Sequence, residues 1–462
     1  MSTAEPLQLA YDRGTVLVTA GPSGFDYTAL PGVLFDPRTS LYRAQGRHYR
    51  GIVEHCIREK IPYTDSARGW PNTEAGWKLT TDRTPHPHQS EAVATWMKAG
   101  RRGVVVLPTG TGKTFVAMLC VSKIQRPALV VTPTLDLMRQ WYDQFTALFG
   151  VEVGAVGGGD YDFKPLTVTT YDSAYLHVER WGNQFGLLIF DECHHLPGPT
   201  YSQTAIASLA PFRLGLTATP ERADGGDIIF PELVGPIVYR REITELSGDY
   251  LAEYQTRVLA VDLTPEEEEI YRTSREIYRR FVAERGISLG GQNGWQKFIF
   301  EASRSPDGWE AMRAYREQKR IERTASGKFA ALEQLMHQHI GERMLIFTAD
   351  NATVYQIARR YLVPAITHQT KVKERKQLLE RFHSGMYSVL VTSQVLNEGV
   401  DVPAASVGVV LSGTGSIKEN VQRLGRILRK YGDKQAVLYE LVARGTAEEF
   451  TSDRRRQHHA FH

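Results

Sequence analysis

The sequence predicts an α/β fold built on two parallel-sheet domains, and three observations predict it. From Val104 to about Thr219, short apolar runs alternate with stretches of helical length: Val104-Val105-Val106-Leu107, Leu129-Val130-Val131, Leu166-Thr167-Val168, Leu187-Leu188-Ile189-Phe190 and Leu214-Gly215-Leu216. A second alternation of the same kind begins at Met344-Leu345-Ile346-Phe347 and continues through Val389-Leu390-Val391, Val407 to Leu411 and Val437-Leu438-Tyr439. Strands that are apolar throughout are buried on both faces, which a parallel sheet covered by helices provides. Between the two alternations, about Thr264 to Thr324, the text changes to dense mixed charge with interleaved aromatics, as a helical insertion would read.

In chain order, the first 70 to 80 residues carry β-branched alternation (Thr15-Val16-Leu17-Val18-Thr19) and turn residues such as Pro22, Gly24, Pro31 and Gly32, which predict a small mixed α/β domain. The insertion opens at Thr264-Pro265-Glu266-Glu267, an N-cap with proline at the first helical position. Its Gly290-Gly291-Gln292-Asn293-Gly294 run reads as the turn between two helical parts. The expected domains are 1–78, 79–263, 264–325 and 326–462, ending in a solvated basic stretch, Asp453 to His459. At 462 residues, 42% hydrophobic and 23% charged, the composition excludes a disordered chain. No apolar stretch approaches the roughly 20 residues of a membrane span. Met1 to Pro6 do not begin a leader, so a soluble, cytoplasmic protein is expected. A net charge of +3 leaves a polyanion partner to be argued from motifs. Cys56, Cys120 and Cys193 form no CxxC pair, which excludes a disulfide frame and a cysteine zinc site.

Pro108-Thr109-Gly110-Thr111-Gly112-Lys113-Thr114 follows a buried strand and opens a helix, the context of a phosphate-binding loop. Its glycines let the backbone turn tightly and aim N–H groups at phosphates, and the helix adds its positive N-terminal end. Lys113 is expected on the β- and γ-phosphates and Thr114 on Mg2+. A second acidic motif separates a hydrolase from other nucleotide binders: the strand Leu187 to Phe190 ends in Asp191-Glu192-Cys193-His194. Asp191 is placed to hold Mg2+ through water and Glu192 to orient and deprotonate the attacking water. Cys193-His194-His195 does not make a zinc site, because adjacent residues rarely converge on one ion and no fourth ligand is evident. Phosphoryl transfer needs positive charge on the γ-phosphate. Arg426 and Arg429, at i and i+3 in Gln422 to Arg429, offer it from the second α/β domain, or else form a solvated basic face. Nucleotide held between two domains would couple hydrolysis to their opening and closing, as in a motor. Hydroxyls at strand ends, Thr134, Thr170 and Thr392, are candidates to track a nucleic-acid backbone, with helix capping as their alternative role. Arg272, Arg275, Arg279 and Arg280, interleaved with Tyr271, Tyr278 and Phe281, read either as a phosphate grip or as an ion-paired face beside Glu266 to Glu269.

Motif by motif, the chain resembles the superfamily 2 helicases and translocases. Gln89, in Pro85-His86-Pro87-His88-Gln89, stands where they place an adenine-reading glutamine. Thr132-Pro133-Thr134-Leu135 and Thr169 to Ser173 resemble their strand-tracking motifs, and Thr217-Ala218-Thr219 the motif that couples hydrolysis to nucleic acid. Phe347-Thr348, Thr392-Ser393-Gln394, Asn397 to Pro403 and Gln422 to Arg429 resemble the later motifs, with Gly399, Asp401 and Gln422 at the nucleotide cleft. Tyr11-Asp12-Arg13-Gly14-Thr15, Pro165 to Tyr175, Phe212 to Thr219, Val363 to His368 and Ala436 to Leu441 narrow the resemblance to the XPB family, in its short archaeal and bacterial form. The resemblance implies two RecA-like motor domains, an N-terminal damage-recognition-like domain and a helical thumb. It implies an ATP- and Mg2+-dependent helicase or translocase of 3′ to 5′ polarity, acting on double-stranded or forked DNA in nucleotide excision repair or transcription. It also implies a monomeric, nucleoid-associated motor, an associated nuclease, a coupling role for His194, Thr217 and Thr219, and a DNA contact at Arg222. The alternatives are an RNA helicase, a restriction-system motor, or an ATP-switched DNA-binding scaffold that recruits a nuclease. The family shows Arg-Glu-Asp after its Thr-Ala-Thr motif, an element linked to strand separation; this chain has Arg222-Ala223-Asp224. Movement along duplex without unwinding is therefore an open alternative. His86 stands where an arginine is common, a change expected to loosen base selectivity while leaving ATP use.

Overall fold

The computed structural model describes residues 5–71, 74–222, 225–289, 294–393, 405–428, 435–457 and 459–461. The chain divides into two compact units, Met1–Glu242 and Ile243–His462.

The first unit begins with β1 (Leu7–Asp12), β2 (Thr15–Thr19), β3 (Leu34–Asp36), β4 (Leu41–Gln45), α1 (Tyr49–Arg58) and β5 (Tyr63–Asp65). These strands form a sheet in the order β3-β4-β2-β1-β5, antiparallel except where β5 runs alongside β1. The alternation read in the sequence is a half-buried strand: Val16 and Val18 join Leu7, Leu9 and Ile52 in a small core while their neighbours face outward.

The motor core follows: α2 (Pro87–Lys98), β6 (Arg102–Val106), α3 (Lys113–Ile124), β7 (Ala128–Thr132), α4 (Leu135–Phe149), β8 (Gly154–Gly157), β9 (Asp160–Asp162), β10 (Leu166–Thr170), α5 (Tyr171–Trp181), β11 (Leu187–Asp191), α6 (Ser202–Ile206), β12 (Phe212–Thr217), α7 (Phe230–Leu233) and β13 (Ile237–Arg240). The sheet order is β13-β6-β12-β11-β7-β10-β8-β9, parallel except for the β8–β9 hairpin. β7, β10 and β11 are buried along their whole length, as strands covered by helices on both faces must be. Because the central strands run the same way, β6, β7, β10, β11 and β12 all deliver the residues after them to one edge of the sheet. That edge is where open α/β sheets bind their ligands.

The second unit comprises α8 (Ile243–Leu246), β14 (Glu253–Val261), α9 (Pro265–Glu284), α10 (Gly294–Ala302), α11 (Pro306–Thr324), α12 (Ser326–Gln338), β15 (Met344–Phe347), α13 (Asn351–Tyr361), β16 (Ala365–Ile366), α14 (Val372–His383), β17 (Val389–Thr392), β18 (Val407–Val410), α15 (Ile417–Ile427), β19 (Gln435–Ala443) and α16 (Glu448–Arg455). Its sheet order is β14-β19-β18-β15-β17-β16, parallel throughout the described pairs. β14 corrects the expected boundary at residue 263. It pairs with β19 over nine residues, Glu253↔Gln435 to Val261↔Ala443, so it is the edge of the second sheet and not the end of the first.

The helical insertion is three helices, where two parts were expected. α10 packs Phe298 and Ala302 against Phe281 of α9 and Ala311 of α11. At its start, Thr264 accepts from the Glu267 N–H (3.2 Å) while Glu267 Oε2 accepts from the Thr264 N–H (3.0 Å), the reciprocal cap that the sequence signature promised. Residues 290–293, the core of the expected turn, lie outside the described residues.

Candidate nucleotide and nucleic-acid site

The phosphate loop lies between the end of β6 and the start of α3. Gly110 (φ 92°) and Gly112 (φ 86°) hold left-handed conformations that a side chain would strain, and Gly112 is the N-cap of α3. Thr111 Oγ1 donates to the Pro108 carbonyl (2.8 Å), closing the turn. Lys113 Nζ donates to the Leu107 carbonyl (3.1 Å), which keeps the ammonium over the loop. Thr109 lies in the loop, and Thr114 follows Lys113 in the first turn of α3.

Helix α2 braces this loop. Gln89 is fully buried; its Oε1 accepts from the His86 N–H (3.0 Å) and its Nε2 donates to the Thr111 carbonyl (2.9 Å). His88 Nε2 donates to the same carbonyl at 3.1 Å. A trans peptide sets C=O and N–H on opposite sides, so two donors on the Thr111 oxygen turn the Gly112 N–H away from α2. The residue expected to read adenine is thus also a support of the loop. His88 was not foreseen, because a lone histidine beside a helix start carries no pattern.

At the end of β11, Asp191 and Glu192 are both buried. Asp191 Oδ2 accepts from Trp141 Nε1 of α4 (2.7 Å), and its Oδ1 accepts from the Glu192 N–H (3.0 Å). Tyr171 donates its hydroxyl to the Asp191 carbonyl (3.1 Å). Burial, and then the Glu192 charge beside it, raise Asp191 to about 6, while the Trp141 hydrogen bond and the Lys113 charge pull the other way. Glu192 holds φ 46° and ψ 53°, a left-handed conformation that a non-glycine residue keeps only where its surroundings impose it. Glu192 Oε2 lies 3.5 Å from His194 Nδ1, and the same nitrogen hydrogen-bonds Thr217 Oγ1 (2.9 Å) at the end of β12. Thr217 Oγ1 also accepts from the Thr219 N–H (3.1 Å). The structure therefore joins the expected catalytic glutamate to all three expected coupling residues. Arg222 donates its guanidinium to the His194 carbonyl, so this expected nucleic-acid residue is tied to the same chain of contacts.

The strand-end threonines behave as caps. Thr134 accepts from the Leu137 N–H (3.3 Å) and Thr170 from the Ser173 N–H (3.2 Å), at the N-termini of α4 and α5. Thr392 is fully buried and donates to the Ser393 carbonyl (3.2 Å), so its hydroxyl is not presented at a surface. In the second unit, Gln422 and Arg426 lie on α15, both buried. So is Arg423, which sequence reasoning passed over: it pairs with Glu419 (3.4 Å), lies 5.6 Å from the Phe347 ring, and is lowered by burial to about 10. Gly399, Asp401, Ala223 and Arg429 lie outside the described residues. Of the insertion's arginines, Arg272 pairs with Glu269 (2.6 Å), as the ion-paired alternative expected, and Arg275 donates to the Tyr271 hydroxyl (2.5 Å). Arg279 and Arg280 remain exposed, and with Arg444 they line a concavity of about 870 Å³.

Comparison with known proteins agrees along the chain. Residues 9–67 match the family model described as the Xeroderma pigmentosum group B helicase damage recognition domain, residues 82–222 the Type III restriction enzyme res subunit, and residues 327–431 the helicase conserved C-terminal domain. A "DNA 3'-5' translocase XPB2" from Sulfurisphaera tokodaii is 39% identical over 97% of this chain and 99% of its own length. A "DNA 3'-5' helicase XPB" from Kineococcus radiotolerans is 32% identical over 81% of this chain and 62% of its own length, so the match spans less than two thirds of that relative. Among solved structures, the Pyrococcus furiosus Hef helicase domain superposes with a TM-score of 0.52 at 20% identity, over 81% of this chain and 98% of that one. That likeness concerns the fold alone, two RecA-like motor domains.

Proposed function

This chain belongs to the XPB family of superfamily 2 helicases and translocases, and we propose that it is an ATP-driven motor of 3′ to 5′ polarity working on double-stranded or forked DNA. The observation that carries the reading is the contact chain Glu192–His194–Thr217–Thr219, which links the hydrolytic carboxylate to the strand end where nucleic-acid coupling is expected. The residues present fit Mg2+ and ATP: two left-handed glycines shape the loop, and Glu192 keeps a buried carboxylate oxygen, Oε2, that lies 3.5 Å from His194 Nδ1 but accepts no hydrogen bond from the described residues. Thr114 and Asp191 would hold Mg2+, which neutralises charge on the β- and γ-phosphates. Lys113 binds those phosphates, and Glu192 orients the attacking water and takes its proton. Arg426 and Arg429 are assigned the charge that builds on the transferring group, with Gly399, Asp401 and Gln422 beside the nucleotide.

On the DNA side, backbone N–H groups at the starts of α4 and α5 are assigned to phosphates, with Thr134 and Thr170 shaping those helix starts. Arg222, held on the His194 carbonyl, and Thr392, at the end of β17 in the second unit, are assigned supporting roles toward the DNA backbone, and Arg279 and Arg280 meet that backbone from the thumb. Among the described residues no helix is long and apolar enough to cross a membrane. The cellular setting is proposed to be the nucleoid, in repair or transcription, as a monomer alongside an associated nuclease. The names of the relatives and the damage-recognition match favour DNA over RNA or a restriction substrate, and favour a motor over an ATP-switched scaffold.

Lys113→Ala tests the reading. Loss of the phosphate-binding ammonium is expected to lower DNA-stimulated phosphate release by about 100-fold or more, since single groups that stabilise developing charge are worth that much. An unchanged rate in a malachite-green assay would overturn it.

A further inference from the structure

Buried charge in the second unit gathers around an element that no motif reading reaches, α16. Just before its first turn, the Ala447 N–H donates to the Tyr271 hydroxyl of α9 at 2.8 Å. That hydroxyl donates in turn to Glu322 Oε1 of α11 (3.3 Å), and Tyr271 and Glu322 are each only 4% exposed. The next residue, Glu448, accepts from the Ala443 N–H (2.9 Å) and pairs at 2.6 Å with Lys328 of α12. The Lys328 ammonium also donates to the Leu411 carbonyl just past β18 (2.7 Å). At the far end of α16, Arg455 pairs with Glu440 of β19 (3.1 Å), and its carbonyl accepts from Asn420 of α15 (3.4 Å). One short helix is thus clamped at its N-terminal end to the thumb and at its C-terminal end to the helix that carries Arg426.

Stability alone explains this poorly. Burying ion pairs costs desolvation that apolar side chains of the same size would avoid, whereas a pair that is also hydrogen-bonded, as Glu448 and Lys328 are, fixes relative geometry. We propose that α16 is a strut between the thumb and α15, and that Tyr271 is a positioning residue for DNA-stimulated hydrolysis: it passes the thumb's orientation to the arginine-bearing helix. The inference rests on the motor reading above. It assigns Tyr271 and Glu322 a role in coupling and none in binding DNA or ATP.

Tyr271→Phe removes one hydroxyl from a buried ring, and Glu322→Gln removes one charge from its partner. The experiment measures ATP hydrolysis at saturating ATP, with and without a duplex oligonucleotide at one salt concentration. It also measures oligonucleotide affinity by anisotropy and the melting temperature. Expected is a fall of about 5-fold or more in the DNA stimulation ratio, the low end of ordinary coupling between sites, with basal rate and DNA affinity within about 2-fold of wild type. The double variant should be no worse than the single ones, because both break one link. Stimulation equal to wild type in Tyr271→Phe, or a parallel fall of basal and stimulated rates, overturns the strut. A wild type whose hydrolysis ignores DNA overturns the motor reading itself, and the strut with it.

Discussion

Asp191 occupies the end of a fully buried strand, where the Trp141 indole, the Lys113 charge and the Glu192 N–H all favour its carboxylate against burial, the Trp141 hydrogen bond most of the three. Trp141 donates its indole N–H to Oδ2 at 2.7 Å, and Trp141 is itself 1% exposed, so water cannot take its place. A residue that orients a metal-binding carboxylate from behind commonly shifts metal affinity or activity by about 10- to 100-fold when removed. Trp141→Phe keeps the ring and deletes the donor. It is expected to raise the Mg2+ concentration for half-maximal ATP hydrolysis by about 10-fold, and to cost about 1–3 kcal/mol of stability by leaving Oδ2 unsatisfied. A Mg2+ titration of phosphate release beside a thermal melt checks both; a lowered melting temperature with an unmoved Mg2+ midpoint would make Trp141 packing only. None of this was legible in the sequence, although Asp191 was. Four apolar residues before an Asp-Glu pair announce a strand end; Gln140-Trp141 belongs to the stretch that resembles the first strand-tracking motif, but a tryptophan spaced with Leu137, Met138 and Phe145 on one helix face gives no sign of a bond to Asp191. The same limit hid His88 and Arg423, whose roles lie in contacts across long stretches of chain.

At the scale of elements, the parallel strands, the phosphate loop and the insertion were legible because each has a strong local signal. β14 was not: its exposed, alternating residues are those of an edge strand, and they follow the first motor domain directly in sequence. Also illegible was the seat of the N-terminal sheet on the motor core. Glycines make it: a Cβ on Gly46 would lie 2.5 Å from the Ala207 carbonyl oxygen, and one on Gly14 2.7 Å from the Ala207 Cβ. Around them the Tyr11 hydroxyl donates to the Val178 carbonyl (3.0 Å), the Gly69 N–H to the Asn183 carbonyl (2.8 Å), and Arg50 to the carbonyls of Gly100 (2.6 Å) and Pro211 (3.2 Å). Backbone against backbone leaves nothing flexible to give way. Gly46→Ala is therefore expected to cost about 1–3 kcal/mol, the usual range for overpacking, and to expose the N-terminal sheet to protease first. Limited trypsinolysis followed by mass spectrometry reads this; a digestion pattern and melting temperature equal to wild type would mean that the seat tolerates a methyl group.

For the molecule as a whole, the question is what hydrolysis drives, and the segment after β12 carries the answer. Arg222, the residue before Ala223 in sequence, is anchored by its guanidinium to the His194 carbonyl, on the hydrolytic contact chain itself. The next residue is Ala223, where the family's strand-separating element has glutamate; the side chain that would meet a junction is a methyl group. Hydrolysis and movement do not need that side chain, because the phosphate loop, Glu192 and the coupling threonines are all intact. Strand separation does, if a wedge must stand between strands as the motor advances. The wild-type protein is therefore expected to displace the third strand of a triplex, which requires only movement along duplex, while opening forked duplex poorly at the same ATP turnover. Ala223→Glu should raise the forked-duplex rate by about 10-fold, a barrier change of about 1.4 kcal/mol, and leave triplex displacement and ATP hydrolysis within about 2-fold. Both substrates are followed by gel displacement with and without ATP at one salt concentration, since salt alone moves such affinities strongly. Equal fork opening by the two proteins would place strand separation elsewhere in the chain, and fast fork opening by the wild type would mean that this motor unwinds without an acidic wedge.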